Sequence, residues 1–183
     1  MNFKQSIVIF FRILAPLTIF INPLLGIAVA GLADAADVII WDNLKVKPPL
    51  SYHRLDKLLD NWILFIAAAV SIYYIPVPYL YFAYFLYFLR LVISTLFIVT
   101  GKDKFRKLFL IGPNLFPWYF ALFAMMDLVK DYGVLQNNLL FTVIVIFVFI
   151  GGYLPEIILH YKKIKLHALL KKFFNKYQVK NEG

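Results

Sequence analysis

The chain has 183 residues, of which 62% are hydrophobic, 19% aromatic and only 16% charged, with a mean hydropathy of +0.77. An ordinary soluble domain is about 45–50% apolar and about 25% charged, and a globule of this size has too much surface for so few charges. The composition excludes a water-soluble enzyme, a disordered tail and a free nucleic-acid-binding domain, and predicts one domain placed in a membrane. Nineteen Lys and Arg against ten Asp and Glu give a net charge of +9, whose partner in this setting is anionic lipid headgroup, not nucleic acid. The lack of cysteine excludes disulfides, thiolate metal sites and cysteine nucleophiles.

In chain order, long continuous apolar runs predict helical spans, because transmembrane strands would alternate apolar with polar residues. The first span is expected over residues 16–33. The run 7–33 is too short for two full crossings, so residues 2–15 are read as an interfacial or tilted helix leading into that span. Pro16 and Pro23 are its bends. Further spans are expected over 55–74, 80–100, 108–128 and 139–159. In the fourth, Pro113, Asn114 and Pro117 interrupt the helix, either as a simple kink or to line a cavity. The expected fold is therefore all-α, a polytopic transmembrane bundle of five to six spans over residues 1–159. A basic cytoplasmic tail, 160–183, follows, with an amphipathic helix over 161–177.

Basic residues orient the bundle. Lys45, Lys47, Arg54 and Lys57 form one cluster, Lys102, Lys104, Arg106 and Lys107 a second, and the tail a third. The alternate loops are nearly uncharged, with Lys130 the one base between Asp127 and Asn138. The three clusters share the cytoplasmic face of an inner membrane on this rule. Lys4 and Arg12 run against it if the first apolar run crosses once.

Five of the eight aspartates lie between residues 34 and 60, at the cytoplasmic junction of the first two spans. Asp34 and Asp37 are spaced i, i+3, and Asp56 and Asp60 i, i+4, so each pair shares one helix face. If the two helices pack side by side, four carboxylates converge and need compensating cations. An oxygen-only donor set suits a hard divalent ion such as Mg²⁺ or Mn²⁺, and the absence of His and Cys from the cluster argues against zinc. Carboxylate-held metal pairs suit phosphoryl and phosphodiester chemistry. The competing reading makes these aspartates solvated caps at helix ends beside the nearby lysines.

The segment DAADVIIWDNLKVKPPLSYHRLDKLLD, residues 34–60, resembles the signature of the CDP-alcohol phosphatidyltransferases, D-x2-D-G-x2-A-R-x8 or 9-G-x3-D-x3-D. Asp34, Asp37, Asp56 and Asp60 match its four acidic positions with the nine-residue spacer. Val38 stands at the first Gly, Trp41 and Asp42 at Ala-Arg, and Tyr52 at the second Gly. Upstream, Arg12-Ile13-Leu14-Ala15-Pro16 is similar to the Arg…Pro segment that opens these proteins. The resemblance implies a six-helix membrane enzyme that moves a phosphatidyl group from a CDP-linked lipid to a small alcohol and releases CMP. It implies that Asp34, Asp37, Asp56 and Asp60 hold two Mg²⁺ or Mn²⁺ ions, with Asp60 the base for the acceptor hydroxyl. Lys45, Lys47 and Arg54 are candidates for gathering anionic substrate, and a homodimer is compatible with the family. Two alternatives stay open: a catalytically degenerate relative that binds lipid or a membrane partner, and a small transporter.

Arg90 lies mid-span between apolar residues, and Glu156 lies in the last span. An unpaired charge at that depth is expensive, so the expectation is a pair between them, with Arg90 lining a phosphate pocket or snorkelling as the alternatives. His53, His160 and His167 are read as loop and tail residues, and the aromatic run 73–87 as an interface belt and packing surface.

Overall fold

The computed structural model describes residues 3–44, 49–130 and 132–156, which are helical with no strand among them. Among the described residues six α-helices follow in order: α1 (Phe3–Leu14), α2 (Pro23–Leu44), α3 (Leu50–Ser71), α4 (Val77–Thr100), α5 (Phe116–Val129) and α6 (Asn138–Glu156). Three 3-10 segments join them, Ala15–Phe20, Asp103–Leu110 and Gly133–Gln136. The helix ends carry local signals. Asn22 Oδ1 accepts the Leu25 N–H at 3.0 Å and Asn137 Oδ1 accepts the Leu140 N–H at 3.1 Å, which caps α2 and α6. Proline stands in the first turn of α4 and α5, where its missing N–H costs nothing. Gly101, at φ +63°, ends α4 by donating its N–H to Phe97 at 2.8 Å.

Several expected bounds are corrected. Residues 16–20 belong to the first 3-10 segment, and α2 starts anew at Pro23, because Pro16, the Asn22 cap and Pro23 break one long helix into two. Helix α3 begins at Leu50, five residues before the expected span, so Arg54, Asp56, Lys57 and Asp60 are intrahelical. The expected fourth span is split, because Pro113 and Pro117 leave 108–110 in the second 3-10 segment and start α5 only at Phe116. Pro23–Trp41 and Val77–Thr100 are long and apolar enough to cross a membrane, while Ser6–Phe20, Phe116–Val129 and Asn138–Leu154 are shorter apolar helices. The amphipathic tail helix lies outside the described residues.

The first 3-10 segment and α1 pack on α2 and α3, α3 packs on α4, and α5 rests on α2, α3 and α4 with α6 on its other side. Small residues let these helices approach closely: Ala67 of α3 and Ala83 of α4 are fully buried. Helix α5 fills the centre with Phe116, Tyr119, Phe120 and Phe123. Tyr87 meets Phe116 with ring centroids 5.7 Å apart, and Tyr119 meets Phe123 at 5.1 Å.

One close contact sets the entry of α2. A Cβ built on Gly26 would lie 2.4 Å from the Ile19 nitrogen and 2.5 Å from its Cα, both backbone atoms that cannot move aside. Gly26→Ala is therefore expected to lower stability by about 1–3 kcal/mol, as overpacking does. Thermal unfolding in detergent micelles checks this; an unchanged midpoint would contradict the contact.

Many large apolar side chains lie on the surface, and a few charged ones lie inside. Phe10, Phe11, Leu32, Phe85 and Phe147 are exposed, whereas Arg12, Asp37 and Arg90 are buried. Helix α1 shows it within twelve residues: Val8 and Arg12, spaced i, i+4, face inward while Phe10 and Phe11 face out. Scattered exposed apolar residues are ordinary on soluble proteins, but so many large exposed apolar side chains, with arginines buried beside the apolar core, are not.

Candidate functional site

Three helices build the charged centre. Asp34 and Asp37 come from α2, Asp56 and Asp60 from α3, and Arg12 from α1. Periodicity puts each aspartate pair on one face, and the packing of α1 against both helices inserts the guanidinium between them. Arg12 Nη1 contacts Asp37 Oδ2 and Asp56 Oδ1, each at 2.7 Å. Nη2 contacts Asp34 Oδ1 at 2.7 Å and Asp60 Oδ1 at 2.8 Å. Each terminal nitrogen thus bridges one carboxylate of α2 and one of α3, a use of the planar fork that a lysine could not reproduce. Arg12 is wholly buried, and its Nε is buried with no hydrogen-bond partner among the described residues.

Around this centre, Lys57 Nζ reaches Asp60 Oδ2 at 2.6 Å and Asp56 Oδ2 at 3.1 Å. The Tyr52 hydroxyl donates to Asp37 Oδ2, and the Tyr52 ring lies 4.4 Å from that of Trp41. Burial disfavours the Arg12 charge, and the carboxylates of Asp34, Asp37, Asp56 and Asp60 compensate it. Four carboxylates against Arg12 and Lys57 leave the cluster with a formal excess of two negative charges.

Asp34, Asp56 and Asp60 each offer an oxygen, and the three lie within 4.8 Å of one another, a separation that suits one metal ion. The donor set is hard oxygen, as Mg²⁺ or Mn²⁺ requires, and one such ion would cancel the excess charge. Asp37 stands apart from this trio, its Oδ2 engaged by both Arg12 and Tyr52. Sequence spacing therefore placed the four aspartates together, while the division of labour between Asp37 and the other three had no signal in the spacing. The bulky residues at the two glycine-like positions fare differently: Tyr52 is part of the cluster, and Val38 makes no polar contact by its nature.

The remaining candidates are dispersed. Lys45 and Lys47 lie outside the described residues. Arg54 sits in the first turn of α3 beside Gly101, whose Cβ would fall 2.6 Å from Arg54 Nη2, so it faces the end of α4 and contacts none of the four carboxylates within ion-pair distance. Arg90 donates to the Gly112 carbonyl at 3.1 Å and stacks 4.4 Å from the Phe109 ring centroid. The Glu156 side chain, its expected partner, lies outside the described residues. Arg12 is the residue whose role sequence reasoning missed. The signal was present, since an arginine inside an apolar run needs an acidic partner.

A cavity of about 570 Å³ opens beside the cluster, with Asp34, Asp60, Lys57, Arg90 and Asn114 at its polar part. Comparison of the chain with protein-family models, with curated proteins and with solved structures finds no match.

Proposed function

We propose that the chain is an integral membrane protein of five or six helical crossings that transfers a phosphatidyl group from a CDP-linked lipid to an alcohol, releasing CMP. The observation that carries this is the meeting of Asp34, Asp56 and Asp60 from two helices within 4.8 Å of one another, beside a cavity. The many exposed apolar side chains support the membrane setting, and the basic clusters support a cytoplasmic position for the acidic end.

In this account the acceptor hydroxyl oxygen forms a bond to the phosphatidyl phosphorus. The bond from that phosphorus to the CMP oxygen breaks, and CMP leaves with the electron pair. Asp60 takes the hydroxyl proton. Asp34, Asp56 and Asp60 would hold a divalent ion, which would supply neutralisation of the diphosphate charge. Among the described residues one ligand trio is present, so the proposal carries one ion at these three residues in place of the two that the resemblance implies. Arg12 and Lys57 hold the carboxylates in register and add positive charge near the transferring group.

Arg12 also favours a second reading. A guanidinium bonded to all four aspartates, with Lys57 beside it, offsets half of their charge without any metal, as suits a catalytically degenerate relative that only binds lipid. Metal dependence separates the two. Turnover of CDP-diacylglycerol is expected to vanish with a chelator and to return with Mn²⁺ or Mg²⁺. Turnover indifferent to the chelator would contradict the metal site, and no turnover under any condition would favour the binding protein.

A further inference from the structure

The two cations of the acidic cluster are tied to it differently. Arg12 reaches in from α1 and bonds Asp34 and Asp37 of α2 as well as Asp56 and Asp60 of α3, so it links three helices. Lys57 belongs to α3, and its ion pairs among the described residues are with neighbours on that helix, Asp60 at 2.6 Å and Asp56 at 3.1 Å. Freeing Lys57 from them would separate no helix from another.

The carboxylates that Lys57 holds are ones a divalent ion would use. Asp56 gives Oδ1 to Arg12 and Oδ2 to Lys57, and Asp60 divides its two oxygens in the same way. Both α3 members of the trio Asp34, Asp56 and Asp60 are thus already engaged by a cation at each oxygen. An ammonium and a divalent ion on one carboxylate repel each other strongly where solvent screens them poorly.

Lys57 also has somewhere to go. It lines the cavity of about 570 Å³ beside the cluster. Its Nζ lies 5.6 Å from the centroid of the Phe109 ring, within the range at which a ring face attracts a cation. A flexible four-carbon stem lets this compact charge swing without moving the backbone, whereas a planar guanidinium held by four carboxylates is fixed.

From these features we infer that Lys57 is the exchangeable cation of the cluster. It holds Asp56 and Asp60 before a divalent ion binds and turns off their oxygens into the cavity when one does, while Arg12 stays in place. The inference rests on the ion site proposed above and adds its regulation: ion entry is an exchange against Lys57, which lowers the affinity of the site. After the exchange the ammonium remains in the cavity, so the charge balance of the region is kept.

The test uses the purified full chain in micelles and Mn²⁺. Lys57→Met removes the competing charge and keeps a flexible stem of similar length. Mn²⁺ binding, followed by electron paramagnetic resonance, is expected to tighten by about tenfold or more, the scale of one charge-assisted hydrogen bond. A lysine that only held the carboxylates in place would do the opposite, so unchanged or weaker binding would overturn the inference. The second measurement needs no variant to fold. Acetylation of Lys57 by acetic anhydride at fixed pH is read by peptide mass spectrometry, with the exposed Lys130 as the internal reference. Saturating Mn²⁺ is expected to speed the labelling of Lys57 relative to Lys130 by about tenfold or more, because the amine loses the two charge-assisted bonds that hold it. Mn²⁺ bound with the labelling ratio unchanged would overturn the exchange and leave the ion site standing. Failure of Mn²⁺ to bind the native chain at all would remove both.

Discussion

Arg12→Ala is expected to destabilise the protein by about 3–5 kcal/mol, the cost of removing one partner from a buried ion pair. The native chain bonds this buried guanidinium to four carboxylates at 2.7–2.8 Å, of which Asp37 is buried and Asp34, Asp56 and Asp60 are partly exposed. Without it, Lys57 alone faces Asp56 and Asp60, and Asp34 and Asp37 lose their strongest partner. Since whole domains are stable by only about 5–15 kcal/mol, much of the variant should be unfolded or aggregated on purification. Arg12→Lys should fall between, because one ammonium cannot span two helices with paired donors. Mn²⁺ should raise the unfolding midpoint of Arg12→Lys more than that of the native chain, as an added cation takes up the uncompensated charge. Thermal unfolding in micelles reads all three effects. A midpoint for Arg12→Ala within two or three degrees of native, on the order of 1 kcal/mol or less, would mean that the four contacts do not hold α1 to α2 and α3.

Asp60→Asn is expected to lower turnover by about 100- to 10,000-fold, the range of a lost general base. The change is isosteric. It keeps one oxygen that can face a metal, removes the charge and the basicity, and turns one acceptor toward Arg12 or Lys57 into an NH₂ donor. The fold should tolerate it, because Arg12 retains Asp34, Asp37 and Asp56, and Lys57 retains Asp56. Mn²⁺ binding, followed by electron paramagnetic resonance, should persist while CMP release is lost. Full activity in the variant would end the role assigned to Asp60.

The convergence of the four aspartates was legible because helical periodicity determines which residues share a face. Asp34 with Asp37 and Asp56 with Asp60 needed only that the two helices pack together. What periodicity cannot supply is which third element packs against them. Arg12 lies 48 residues from Asp60, and its run looked like an anomaly in the charge rule and part of a motif, not like the centre of the site. Arg90 is a separate case. The expected acidic partner for it falls outside the described side chains, and a carbonyl and the Phe109 ring support the guanidinium. Both arginines obey one rule, that a charge in an apolar bundle must find compensation, but compensation has several chemical forms.

Proline told more about interruption than about extent. Pro113, Asn114 and Pro117 were read as either a kink or a cavity wall, and the cavity is there, with Asn114 and Pro117 lining it. Pro16 and Pro23 were read as bends within one span, whereas the 3-10 segment between them turns the chain before α2 begins. The difference lies in Gly26, whose missing side chain admits the Ile19 backbone against α2, a packing contact between neighbouring segments that single-residue propensity does not encode.

The most direct measurement of the central claim is CMP release by the purified chain in lipid-like micelles, with CDP-diacylglycerol, Mn²⁺ and a panel of acceptor alcohols, and with Asp60→Asn as the blank. The account predicts release that depends on an acceptor, is abolished by a chelator and is lost in the variant. Absence of release with every acceptor, together with no binding of CDP-diacylglycerol, would contradict it.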